Sequence, residues 1–214
     1  MITNEQINEF ITQAQRIGRE HLQLCSSGNL SWRVEDDLAL VSGTGSWLPA
    51  LKKENVAICR ISTGERIDGP KPSMESSFHL GVLKRRADQN VVLHFQSAFA
   101  TVVSCMRNKP ENFNVTAEVP CHCGREIPVI PYFRPGSPEL AEAVVGALSD
   151  HDTVLMSKHG QAVCGKDFND AFQKAVFFEM ACAIIVRAGE GNYLTLTDEE
   201  IRDLEVYVLG KSGK

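Results

Sequence analysis

Apolar side chains recur at Ile7, Phe10, Ile11, Ala14, Ile17 and Leu22, and this spacing predicts an amphipathic helix over residues 5–24 with Asn4 as its cap. The period then changes. Two short runs, 29–34 and 38–42, flank the acidic turn Glu35-Asp36-Asp37 and predict a hairpin. A second hairpin is expected over 56–67, with Ser62-Thr63-Gly64 as its turn. Pro70 and Pro72 interrupt the backbone, and Ser73 reads as the N-cap of a helix over 74–86. Val91-Val92-Leu93 reads as a short buried strand that delivers His94, and a helix is expected to begin near Ser97. Residues 107–127 carry no regular pattern. Beyond them the sequence predicts a strand at 127–130, a helix over 138–148 with proline in its first turn, and a strand pair at 153–156 and 161–164. The last long helix is expected over 167–188, closed by Gly189. Strands mixed with helices, with hairpins among them, predict an α/β sandwich whose sheet is not purely parallel. No repeat, linker or low-complexity segment divides the 214 residues, so a single domain is expected over 1–214.

Composition narrows the partners. A formal charge of -5 gives no basic surface that would favour nucleic acid, which leaves small molecules or sister subunits. The first ten residues lack the basic and apolar stretches of a signal peptide, and the apolar stretch at 180–186 is too short to span a bilayer. No membrane association is expected. Seven cysteines, odd in number and scattered, suit reduced thiols in a cytoplasmic protein better than a disulfide framework.

Several residues could carry chemistry. Ser42-Gly43-Thr44-Gly45 follows a predicted strand, and such a turn offers backbone N–H groups and a hydroxyl to a phosphate, although a tight turn explains it as well. Ser73 at a helix start would favour an anion, or simply cap the helix. Glu75 and His79 lie four residues apart on one helix face; the plain reading is a carboxylate complementing the helix dipole and a half-buried histidine. His94 and His159 each emerge from the end of a predicted strand, and two neutral imidazoles with one or two oxygens suit zinc with a position open to substrate.

Taken together, these residues resemble the class II aldolase/adducin family. The likeness runs in order through Ser27-Gly28-Asn29-Leu30-Ser31, Ser42-Gly43-Thr44-Gly45, Lys71-Pro72-Ser73-Met74-Glu75, Phe78-His79, Val91-Val92-Leu93-His94, Ile127-Pro128, Pro131-Tyr132 and His159-Gly160. The resemblance implies a three-layer αβα sandwich with a mixed, largely antiparallel central sheet, assembled as a homotetramer with one zinc ion per subunit. It implies that Asn29, Thr44, Gly45 and Ser73 hold a substrate phosphate, that Glu75 is the catalytic carboxylate, and that His94 and His159 bind the metal. Glu179 matches a glutamate of the family and reads as a structural hydrogen-bonding residue. The implied reaction is retro-aldol cleavage of a ketose 1-phosphate. L-fuculose 1-phosphate is the first-choice substrate, giving dihydroxyacetone phosphate and L-lactaldehyde. Zinc would act as the Lewis acid, and Glu75 would return a proton to carbon. A pentulose-phosphate 4-epimerase (L-ribulose-5-phosphate type) and a non-catalytic, adducin-like scaffold are the alternatives.

The sequence departs from the family pattern in three places. The family's His-x-His pair is His94-Phe95-Gln96 here, so the third ligand falls to Gln96, a poor zinc donor beside imidazole, or to water or Glu75. The tyrosine expected near 113–117 is missing, since no tyrosine occurs between 107 and 131, and Tyr207 is the substitute candidate. Met74 stands where the family carries a second serine. Cys121-His122-Cys123 lies in the unmatched segment, and adjacent donors without a second pair seldom build a closed metal site.

Overall fold

The computed structural model describes residues 2–210. Its first helix, α1 (Asn4–Arg19), is capped by Thr3 rather than Asn4: the Thr3 hydroxyl accepts from Gln6 N while the Gln6 side chain accepts from Thr3 N. It also stops short of the expected residue 24, because His21 and Cys25 adopt left-handed backbone conformations. Leu22 is still buried, beyond the helix end. The first hairpin forms as the alternation predicts, from β1 (Asn29–Glu35) and β2 (Leu38–Ser42). The second consists of β3 (Val56–Arg60) and β4 (Arg66–Asp68). Then follow α2 (Ser76–Arg85), β5 (Val91–Phe95), α3 (Ala98–Cys105), β6 (Val129–Ile130), α4 (Pro138–Ala147), β7 (Thr153–Met156), β8 (Gly160–Gly165), α5 (Phe168–Ala188) and α6 (Asp198–Leu209).

Two further expectations fail in detail. Ser73 is not the cap of α2. Its hydroxyl accepts from Glu75 N at 3.2 Å and its carbonyl from Ser76 N at 2.9 Å, so residues 73–76 form a tight turn and Glu75 occupies the cap position. The helix at 167–188 is not the last, because Thr197 and Glu200 form a reciprocal capping box that starts α6.

The eight strands form one sheet in the order β4-β3-β2-β1-β5-β8-β7-β6. Every neighbouring pair is antiparallel except β6 with β7. Period-two alternation sends side chains to two apolar layers. Ala39, Val41, Val92 and Ala162 pack under α2 and α4, against Phe78, Leu83, Leu140 and Val144. Leu40, Leu93 and Val163 pack on the other face against Phe10 and Ile17 of α1 and Phe172 of α5. Leu155 continues that second face beneath α3 and α5, with Val103, Phe178 and Cys182. The fold is therefore the expected αβα sandwich with a mixed sheet. Among the described residues, no helix is long and apolar enough to cross a membrane.

Topology gathers the candidate residues. Because β1 runs antiparallel to both of its neighbours, its start lies beside the ends of β2 and β5, and Asn29 pairs directly with His94. The turn between β7 and β8 reaches the same edge. Backbone bonds from Thr44 N to Lys71 O and from Ser73 N to Ser42 O stitch the segment before α2 onto the end of β2, delivering Glu75 there as well.

Candidate metal and substrate site

Side chains on one face of β1 and β5 alternate into the α2 layer, and near the sheet edge this layer turns polar. Glu75, at the entry of α2, is 5% exposed, yet no bond to its own helix holds the carboxylate. It faces the cleft between two imidazoles. Oε2 lies 3.4 Å from His94 Nε2, and Oε1 lies 3.4 Å from His159 Nε2. One donor atom from each of the three residues falls within 4.8 Å of the others. The dipole-complementing role considered for Glu75 in sequence is thus replaced by a convergent one.

The surroundings fix how these groups are presented. His94 Nδ1 lies 2.9 Å from the Gln161 carbonyl, which can only accept, so Nδ1 carries a hydrogen and a neutral ring would turn its Nε2 lone pair toward Glu75. His159 sits at a turn that passes close to His94. A Cβ on Gly160 would stand 2.7 Å from Phe95 O and 3.3 Å from His94 Cε1, so glycine permits the approach. Burial, reinforced by the neighbouring His94, pushes the His159 imidazole down to about 4 and keeps it neutral near pH 7. Burial alone would raise the Glu75 carboxyl, but the His94 ring and the Asn29 amide outweigh it and hold Glu75 below its usual value. Glu75 Oε1 is buried with no hydrogen-bond partner. An orphaned carboxylate oxygen between two imidazoles, one of which presents a lone pair, fits a divalent cation: N, N and O donors suit zinc.

The other expected residues take varied places. Thr44, Gly45 and Ser73 line the same cleft, a cavity of about 520 Å³, and Gly45 has φ +71°, which glycine adopts without strain. Asn29 also lines it, but its amide is engaged at both ends: Nδ2 donates to Glu75 Oε2 at 2.9 Å and Oδ1 meets His79 Nε2. Gln96 lies at the rim and its Nε2 donates to the His159 carbonyl at 2.8 Å, tying down the histidine turn. The structure thus brings Glu75, rather than Gln96, between the two histidines. Glu179 matches its structural reading, accepting from Ser97 Oγ, Phe99 N and Ala100 N at the start of α3. Tyr207 is 89% exposed on α6 and does not line the cleft. Cys121-His122-Cys123 is dispersed: His122 packs on Phe177, and Cys123 is buried with its thiol donating to Lys174 O.

Two residues had no role assigned in sequence. His79, expected to be half-buried, is completely buried, and Lys158 lines the cleft beside His159 with φ +57°. For His79 the signal was the alternation that turns Asn29 and Ser31 toward α2. Lys158 has no local signal beyond its neighbour.

Comparison with known proteins agrees with this geometry. The family model described as Class II Aldolase and Adducin N-terminal domain matches residues 8–186. A 3-oxo-tetronate 4-phosphate decarboxylase of Haemophilus influenzae is 33% identical over 181 residues, covering 84% of this chain and 86% of that protein. An L-fuculose phosphate aldolase of Methanocaldococcus jannaschii is 29% identical, covering 80% of this chain and 90% of that one. Among solved structures, YgbL of Escherichia coli, described with aldolase, epimerase and decarboxylase as alternatives, superposes with a TM-score of 0.86 at 27% identity over 94% of this chain and 97% of its own. An L-fuculose 1-phosphate aldolase also gives 0.86, at 25% identity over 95% and 96% of the two chains. With sequence and fold matching over nearly the whole length, and the paired histidines converging on a carboxylate, this chain belongs to the class II aldolase and adducin family.

Proposed function

We propose that this chain is a zinc-dependent carbon–carbon lyase that decarboxylates a phosphorylated β-keto acid of the 3-oxo-tetronate 4-phosphate type, giving dihydroxyacetone phosphate and carbon dioxide. The observation that carries the reading is the cleft's composition: a Glu75/His94/His159 cation site, neutral donors to one side, and, among the described residues, Lys158 as its one lysine or arginine. Relatives up to 33% identical bear that activity in their names, which supports the choice.

The chemistry separates decarboxylation from aldol cleavage. Retro-aldol cleavage requires a base to take the proton of the hydroxyl that becomes the aldehyde; no tyrosine occurs near 113–117, where the family resemblance expects that role, and among the described residues Tyr132 is the tyrosine that lines the cleft. Loss of carbon dioxide requires no such base. The C1–C2 electron pair moves toward the C3 carbonyl, and C2 then takes up one proton. When bound, a divalent cation supplies Lewis-acid stabilisation of the charge developing on that carbonyl oxygen. We assign the phosphate to the hydroxyls of Thr44 and Ser73 and the backbone N–H of Gly45, which orient the substrate. Glu75 is assigned to pass a proton taken from solvent in the cleft to C2. Lys158 complements the carboxylate end: in the strand order, β2 with Thr44 and the β7–β8 turn with Lys158 lie on opposite sides of β1 and β5. Placement of Thr44 and Lys158 at the two sides of the cleft suits a linear substrate with an anion at each end.

Cleavage of L-fuculose 1-phosphate is the second reading, favoured by the 29% identical aldolase. Self-association as a homotetramer belongs to the proposal through the family resemblance, and the seven free thiols suit the reducing cytoplasm. The test is to supply zinc-loaded protein with 3-oxo-tetronate 4-phosphate and, separately, L-fuculose 1-phosphate. Equal amounts of carbon dioxide and dihydroxyacetone phosphate from the first are expected. Release of L-lactaldehyde from the second, with no carbon dioxide from the first, would overturn the choice.

A further inference from the structure

A chain of polar side chains runs from the interior of the α2 layer to the cleft. Ser31 Oγ lies 2.8 Å from His79 Nδ1, His79 Nε2 meets Asn29 Oδ1, and Asn29 Nδ2 donates to Glu75 Oε2 at 2.9 Å. Ser31 and His79 are fully buried, Asn29 nearly so. His79 packs on Phe78, with ring centroids 4.6 Å apart.

We propose that His79 is a positioning residue for the cation site: the Ser31–His79 pair fixes the orientation of the Asn29 amide, and that amide holds the Glu75 carboxylate between His94 and His159. A carboxylate oxygen accepts, so Asn29 must turn its NH2 toward Glu75 and its carbonyl oxygen toward His79. That oxygen needs a donor, which requires hydrogen on His79 Nε2. Nδ1 of the neutral ring then accepts from the Ser31 hydroxyl. Along this chain the amide and the ring each have one compatible orientation, against which the Val92 carbonyl, the ring's other acceptor, competes for the ring hydrogen. Burial drives the His79 imidazole down to about 3, so the neutral form is kept. An amide oriented in this way serves the carboxylate with one N–H and leaves its second N–H for the phosphate role that the family resemblance gives Asn29, which lines the cleft.

The proposal rests on the cation site of the proposed function but not on its substrate. The experiment uses the full chain and zinc alone. Long-range proton–nitrogen correlation on the metal-free protein should show His79 as the neutral Nε2–H tautomer, and an Nδ1–H tautomer would overturn the relay. His79→Phe keeps the ring volume and removes the donor. Zinc affinity, measured by competition with a chromophoric chelator, should fall roughly 10- to 100-fold, the usual cost of losing a contact behind a metal ligand. His79→Gln, whose Nε2 restores a donor toward Asn29, should recover most of that loss, which a purely space-filling role would not. Unchanged zinc affinity in a folded His79→Phe protein, or no recovery by glutamine, would overturn the proposal. If His79→Phe does not fold, the wild-type tautomer decides. Wild-type protein that takes up no zinc would instead sink the functional reading, and the tautomer would still decide the relay.

Discussion

Replacing Glu75 by glutamine separates two demands on one side chain, and the structure gives the sign of each. Glu75 Oε2 accepts from Asn29, while Oε1 is buried, unpartnered and 3.4 Å from His159 Nε2. A buried oxygen left unpaired costs about 1–3 kcal/mol. In the amide, the oxygen can keep the Asn29 bond while the NH2 group donates to the neutral His159 ring. Metal-free protein should therefore gain about 1 kcal/mol, which for a chain of this size raises Tm by about 2–4 °C. Zinc binding should move the other way. Loss of a charged donor should weaken it beyond the roughly 10- to 100-fold expected for a supporting contact. Turnover should fall about 10²- to 10⁴-fold, the range for removing an acid–base group, or about 3–5 kcal/mol in the barrier. Calorimetry of the apo-protein, chelator competition and carbon dioxide release measure the three quantities. A lower apo Tm with unchanged zinc affinity would refute the view that Glu75 is held in place for a cation.

Gly160→Ala would drive a methyl group against Phe95 O and the Gln96 side chain, so it should destabilise the fold by about 1–3 kcal/mol and weaken zinc binding, both measurable on the purified variant. Lys158→Met should reduce kcat/KM at least roughly tenfold on the carboxylate-bearing substrate, given that loss of one charged hydrogen bond costs about 1.5–3 kcal/mol, and should leave zinc affinity intact. The buried histidines make the metal-free fold acid-sensitive. Their folded values, about 4 for His159 and about 3 for His79, lie below the ordinary 6.5, so the unfolded chain binds more protons once pH drops below about 6.5. Stability should therefore fall progressively from pH 6.5 toward 4, and denaturant midpoints that stay flat across that window would contradict the assignment.

The parts of this protein legible in sequence are those governed by local period. The hairpin of β1 and β2, the short apolar strand before His94 and the capped helix α5 follow from alternation, turn residues and Asp167 at the helix start. Local signals also misled. Ser73 looks like a cap, but the turn through Glu75 starts the helix later, and α6 buries so little apolar surface, with Ile201 its clearest buried side chain, that only its Thr197/Glu200 capping box announces it. What no local pattern contains is the bridge between Gly43 and Pro72, because pairing across about thirty residues depends on where the sheet puts its edge. That bridge brings Ser73 and Glu75 to the histidines. The family resemblance supplied His94, His159 and Glu75 as a set, whereas the orientation of Asn29 and the burial of His79 emerge only from packing on the α2 face.

The most direct measurement of the central claim is the position of a bound metal, located by anomalous scattering at the zinc edge in crystals of the zinc-supplemented protein. One strong peak is expected within roughly 2.0–2.2 Å of His94 Nε2, His159 Nε2 and a Glu75 oxygen. A peak at Cys121 and His122, or zinc bound with Glu75 turned away from both imidazoles, would contradict it.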